Sequence, residues 1–178
     1  MSQFKEFKNN LHPNYLELKE RILHPETMWT RNASDPVGMQ PSDRVWYCHN
    51  IISRAITGMN YARPTSSLAQ LASEALAQIL HDNREGFEIF HRVAVNIMPR
   101  QATPFAPRPH EDHSFPYRHM LIYLNDSDGD TVMFNGKGKV IDRSSPKEDK
   151  IIHFGKCWHN GYYPLHHAER IVLVATYN

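Results

Sequence analysis

The chain has 178 residues, of which 40% are hydrophobic and 22% charged, and its formal net charge is +1. That length supports one proper core, and the near-neutral balance gives no bulk electrostatic reason to bind nucleic acid or an anionic membrane. No stretch reaches the ~20 apolar residues that span a bilayer. Residues 1–8 carry neither an apolar run nor a small-residue cleavage site, so the expected location is the cytoplasm. Cys48 and Cys157 read as two reduced thiols rather than a disulfide framework. No internal repeat, heptad or low-complexity run is present.

Residues 14–23 read as a short amphipathic helix in which Leu16, Ile22 and Leu23 share a face, ended by His24-Pro25. Residues 25–45, with Pro25, Pro36, Gly38 and Pro41, read as irregular chain, and Trp29 and Trp46 as cover for a sheet. A second helix is expected over 43–58. The clearest helix runs over 68–81, where Leu68, Leu71, Ala72, Ala75, Leu76, Ile79 and Leu80 fit the 3.6 period. Ser67 and Gln70 would form its capping box, with Asn83 and Gly86 stopping it.

After Gly86 the period changes to two. Strands are expected over 87–98, 118–125, 131–135, 139–141, 150–154 and 170–177, with a turn at 126–130 and a hairpin at Gly136-Lys137-Gly138. Short strands, tight turns and helices confined to the first half predict a mainly β jelly roll with N-terminal helices packed on it. The chain is expected to be a single domain over 1–178, with 1–86 as helical support and 87–178 as the β core. Asp126-x-Asp128-Gly129 fails the calcium-loop pattern, because Gly129 at position six puts Leu124 at one and Asn135 at twelve. His166-His167 reads as solvated surface.

The chemistry concentrates at His110-x-Asp112. On a strand, side chains at i and i+2 point to one face. An imidazole and a carboxylate aimed at one point supply two ligands of a 2-His-1-carboxylate triad, which holds non-heme Fe(II) and leaves open positions. Among 12 histidines only His110 has Asp two places on. Taken alone, the motif is equally met by a turn or a hydrogen-bonded surface pair.

The order of features after it narrows the reading. His110-x-Asp112, Tyr123-Leu124-Asn125, Gly129-Asp130-Thr131, Phe134, Phe154, His159 and Arg170 follow in sequence. From Phe90 to Asn178 this order resembles the Fe(II)- and 2-oxoglutarate-dependent dioxygenases, and within them the prolyl-hydroxylase-like branch. The resemblance implies a double-stranded β-helix, a cupin-like jelly roll, with His110, Asp112 and His159 as iron ligands. It implies that Arg170 and Tyr123 hold the C5 carboxylate of 2-oxoglutarate and that Asn96 contacts the same cosubstrate. Fe(II), 2-oxoglutarate and O2 are the implied cofactors, with ascorbate as a supporting reductant. Asp130 departs from the pattern, which usually has a second glycine there.

The implied outcome is hydroxylation, or demethylation of an N-methyl group, with loss of succinate and carbon dioxide from the cosubstrate. Loops 99–109 and 113–118 bound the site and are expected to carry specificity as lids. Arg100, Arg108 and Arg118 with Phe105, Phe115 and Tyr117 would suit a peptide, or a stacked base beside a phosphate backbone. The near-neutral charge favours a peptidyl or amino-acid substrate over nucleic acid. A non-catalytic jelly-roll binding module and a zinc enzyme on the same ligands are the rival classes.

Overall fold

The computed structural model describes residues 3–34, 41–55, 61–105 and 107–178. Helix α1 (Pro13–Leu23) starts on a proline, whose missing N–H costs nothing in a first turn. It buries Tyr15, Leu18 and Ile22, one stripe at spacings of three and four. Leu16 and Leu23, expected on that face, are 46% and 41% exposed. The apolar stripe runs through Tyr15, so the face is rotated from the expected one.

Helix α2 (Ala69–Asp82) buries Ala72, Ala75, Leu76, Ile79 and Leu80. Its expected capping box does not form. Ser66 Oγ accepts from the Leu68 amide at 3.2 Å, and Gln70 turns down the helix to Glu74 Oε1 at 3.0 Å. The stop is made by Asn83, whose side chain donates to the Ile79 carbonyl, and by Arg84 in the left-handed region (φ 55°). Gly86 is not needed for it.

Eleven strands are described: β1 (Lys5–Phe7), β2 (Thr30–Ser34), β3 (Pro41–Ser53), β4 (Arg63–Pro64), β5 (Phe90–Pro99), β6 (Arg118–Tyr123), β7 (Thr131–Phe134), β8 (Val140–Ser144), β9 (Ile151–Gly155), β10 (Trp158–Gly161) and β11 (Glu169–Tyr177). A large antiparallel sheet runs β1-β9-β6-β11-β5-β3-β2, with β4 on β3, and faces a small sheet β10-β7-β8. The N-terminal part is therefore more than helical support, because β1, β2, β3 and β4 all join the large sheet.

The helix expected over 43–58 is the strand β3, with residues 56–60 outside the described set. Val45, Tyr47, Ile51 and Ile52 suit a pleated, half-buried surface, and pairing to β5 decides between the two conformations. The irregular segment expected over 25–45 contains β2, while Pro36 and Gly38 lie outside the described residues. Trp29 does pack on the core.

The large sheet sorts its side chains by parity. Outward, Val93 and Val95 of β5, Met120 and Ile122 of β6, and Ile171, Leu173, Ala175 and Tyr177 of β11 join the core under α1 and α2. Inward, Leu121, Tyr123, Ile152, Phe154, Val172 and Val174 pack with Met133 of the small sheet. The inward rows also carry polar groups. Asn96 and Tyr123 flank Val172, and Arg92 and His119 flank Thr176.

Candidate metal centre

His110 and His159 are brought together by backbone pairing. The amide of each donates to the carbonyl of the other, at 2.9 and 3.0 Å. His110 forms only this isolated bridge and no strand of its own, while His159 lies on β10, an element without a sequence signal of alternation. Asp112 sits on a bend whose amide donates to Tyr117 Oη at 2.7 Å. The result keeps what a strand would have achieved: His110, Asp112 and His159 each present one ligand atom, all within 4.8 Å of one another.

The two imidazoles are oriented for this. His110 Nδ1 lies 3.4 Å from the Arg108 carbonyl and His159 Nδ1 lies 3.1 Å from that of Cys157. A carbonyl can only accept, so the proton is held on Nδ1 and Nε2 keeps its lone pair for a ligand. Burial, with the neighbouring His119 adding to it, lowers the His159 pKa to about 3, so this ring is neutral. Burial alone would raise the pKa of Asp112, but the hydrogen bond from His119 and the charge of Arg92 hold it well below the usual carboxylate range.

Asp112 is the most constrained of the three. His119 Nε2 meets Oδ2 at 2.8 Å, and His119 is fully buried and stacked on Phe154 at 4.3 Å. Arg54 binds Oδ1, and Arg92 Nη1 stands 3.6 Å from the same oxygen. No motif in the sequence marks His119, Arg54 or Arg92 as part of the site. His119 shares strand parity with Tyr123, and Arg92 with Asn96, so the period-two pattern contained both. Arg54 follows β3, which reads as a helix in sequence, and had no signal.

A cavity of about 130 Å3 adjoins the triad and is lined also by Asn96, Met98, Thr131, Asn160 and Arg170. One water needs only about 10–15 Å3, so the space suits a small molecule. Arg170 is 2% exposed. Its Nη2 donates to Thr131 Oγ1 at 2.8 Å, and Nη1 meets Met98 Sδ at 3.7 Å. Among the described residues it has no carboxylate partner, and its Nε, like Asn96 Oδ1, is buried without a hydrogen bond. Burying a guanidinium unpaired is costly, and burial indeed lowers its pKa. A carboxylate ligand entering this cavity would relieve that cost.

Two glycines make room for Arg170. A Cβ on Gly161 would stand 2.9 Å from its Nη1, and one on Gly129 would stand 3.0 Å from its Cδ and collide with the Tyr162 carbonyl. A second glycine is not required at Asp130, which does not adopt a positive φ; its backbone carbonyl accepts from the Tyr162 amide at 2.8 Å.

The other expected residues divide. Tyr123 is buried against Arg170, with its ring 5.7 Å from the guanidinium, but its hydroxyl is engaged by Thr131 Oγ1 at 2.8 Å and the Ser144 carbonyl at 3.2 Å. Trp46 lines the cavity instead of merely covering the sheet. Arg118 points away, bound to Glu85 Oε1 at 2.5 Å and stacked on Tyr177. Tyr117 is buried, so the expected aromatic and arginine assembly does not form as one surface.

The 113–118 segment is tied down, with His113 Nε2 at 2.8 Å from Thr176 Oγ1 and stacked on Phe115. In the 99–109 loop, the amides of Arg100 and Gln101 donate to Ala168 and Pro164, and Ala106 is outside the described residues. His166 and His167 are exposed as expected, and Asp128 caps the amides of 165–167 and His167 Nδ1. Both cysteines are unpaired. Burial, then Glu111, pushes the Cys157 thiol up to about 12, which keeps it protonated and unreactive.

No family model matches the sequence, and no curated protein does. Solved structures match over nearly the whole length. A 2OG-Fe(II) oxygenase family oxidoreductase from Burkholderia pseudomallei is 14% identical, with a TM-score of 0.68 over 99% of this chain and 85% of that one. A prolyl hydroxylase from Trichoplax adhaerens, in complex with a hypoxia inducible factor oxygen degradation domain peptide, is 15% identical with a TM-score of 0.62 over 99% and 84%. HygX from Streptomyces hygroscopicus, with nickel and 2-oxoglutarate bound, is 9% identical with a TM-score of 0.62 over 99% and 83%. Its helices, its two facing antiparallel sheets and these likenesses give the chain the double-stranded β-helix fold of the Fe(II)/2-oxoglutarate oxygenase structures.

Proposed function

We propose that this protein is an Fe(II)- and 2-oxoglutarate-dependent oxygenase that hydroxylates a peptidyl or amino-acid substrate. The observation that carries the reading is a single cavity lined by a His-Asp-His donor set and by a buried guanidinium that has no carboxylate partner among the described residues. In this reading His110, Asp112 and His159 hold Fe(II), two neutral nitrogens and one carboxylate being a suitable donor set for it. When bound, the iron, with 2-oxoglutarate and O2, supplies the oxidising power for C–H oxidation, and the cosubstrate leaves as succinate and carbon dioxide.

The chain's own residues bind and orient. Arg170 takes the distal carboxylate of 2-oxoglutarate, a planar fork suited to a carboxylate. Thr131 and Tyr123 hold Arg170 in place. Asn96 offers its unpaired Oδ1 beside the cosubstrate. His119 fixes the Asp112 carboxylate through Oδ2, in the way outer hydrogen bonds orient metal ligands. Val172, Val174 and Leu121 give the cavity an apolar wall. A distal carboxylate clamp has no use in a zinc hydrolase, which favours the oxygenase. The unpaired cysteines suit a cytoplasmic setting. Among the described residues no helix is long and apolar enough to cross a membrane.

The test is anaerobic addition of Fe(II) and then 2-oxoglutarate to metal-free protein, with the weak visible charge-transfer band of the chelate as the signal. The band is expected in the wild type and absent in His110→Ala. No band, with zinc retained tightly instead, would sink the reading.

A further inference from the structure

Arg54 and Arg92 have no assigned work in the proposed reaction, yet both point their guanidiniums at Asp112 Oδ1. Arg92 comes from β5 and is only 12% exposed; Arg54 follows β3 and is 43% exposed. Two cations on one carboxylate oxygen already leave an excess of positive charge. A divalent metal on Asp112 increases it. The two carboxylates of 2-oxoglutarate offset the metal and Arg170, with Asp112 completing that balance, so Arg54 and Arg92 remain without a counter-charge. No other carboxylate lines the cavity or its extension among the described residues.

The extension is a recess of about 300 Å3 lined in part by the pair. Trp46, Arg54 and Arg92 line both it and the metal cavity. Its remaining walls include Asn32, Asn50 and Ser53. That volume is at the lower bound of small-molecule sites, about 300–1,000 Å3. Polar amides and a hydroxyl facing two guanidiniums suit a small zwitterion or hydroxy acid better than an apolar group.

We infer that the primary substrate is a small carboxylic acid of amino-acid size, whose carboxylate is held by Arg54 and Arg92 while its oxidisable C–H lies over the metal triad. The two guanidiniums then act as specificity residues. This rests on the oxygenase reading and narrows it to the free acid, against a peptide whose backbone carries no charge at that point. Like-charge repulsion between Arg54 and Arg92, eased by Asp112 alone in the metal-free protein, is relieved by the entering carboxylate.

The test uses protein loaded with Ni(II) and 2-oxoglutarate, which cannot turn over. The free L-amino acids are titrated, each beside its own α-carboxamide, with thermal shift as the screen and calorimetry for affinity. At least one acid is expected to bind ten-fold or more tighter than its amide. That preference should vanish in Arg92→Gln and partly return in Arg92→Lys. Acids and amides binding alike, or no acid binding, would overturn the inference. The Fe(II) and 2-oxoglutarate band is recorded on the same wild-type and Arg92 proteins. If the band forms but no acid is preferred, only the substrate inference falls; if the wild type gives no band, the oxygenase reading falls first.

Discussion

The two faces of the large sheet are made from the same strands and solve opposite problems. The outward face is almost wholly apolar: Val93, Val95, Ile122, Leu173 and Ala175 are fully buried under the helices. The inward face alternates with it residue by residue, yet it buries Arg170, His119 and the Oδ1 atom of Asn96 among Leu121, Val172 and Val174. On the first face burial is the whole purpose. On the second, polar groups are kept short of partners, which costs stability and leaves them ready for a ligand. One backbone thus carries a stabilising side and a binding side, one residue apart.

That contrast can be broken in order of effect. Leu173→Ala, flanked by Val95 and Ile122 in the ladder, removes outward packing and should cost about 2–5 kcal/mol in urea unfolding. Its folded fraction should still bind metal with unchanged affinity. Arg170→Met should do the reverse: 2-oxoglutarate affinity falls about 100-fold by calorimetry, while the melting temperature holds or rises, because an unpaired buried cation is replaced by an apolar chain. A drop in stability as large as that of Leu173→Ala would show Arg170 to be structural.

His153 tests the one titratable group among the outward residues of β9. It stacks on Phe7 at 4.6 Å, and burial lowers its pKa to about 4. The unfolded value is about 6.5, so the neutral ring contributes stability above about pH 6.5 that is lost as pH falls towards 4. His153→Phe keeps the stack and should remove roughly 1–2 kcal/mol of that pH dependence, allowing for partial solvent screening. Stability curves of wild type and variant that stay parallel between pH 4 and 6.5 would contradict it.

Much of this was legible in the chain. The switch from a 3.6 to a 2 period at Gly86 marks the start of the strands β5 to β11, and the ordered motifs point to His110, Asp112, His159 and Arg170, which share one cavity. What escaped was set by non-local pairing. The strand β3 reads as a helix until β5 and β2 are beside it, and with it went Arg54. The role of His119 depends on a carboxylate seven residues away reaching back across a bend. The capping box is absent because the helix starts one residue later than Ser67 implies, with Leu68 at its N-cap, and Gln70 bonds Glu74 instead. Tyr123 stands beside Arg170, but its hydroxyl donates to Thr131, a residue on the other sheet that no local pattern pairs with it.

The reciprocal hydrogen bonds between His110 and His159 have a thermodynamic consequence. Two ligands 49 positions apart in the chain are fixed to each other by main chain, so their convergence is completed when the sheets close and not when an ion arrives. The loop-closure entropy of gathering them, roughly (3/2)RT ln n for n intervening residues, is already spent in folding. An ion therefore meets a pair with its spacing set, and it can leave and be replaced without the barrel opening. Exchange of one divalent ion for another should then run at the pace of ligand dissociation, far faster than global unfolding.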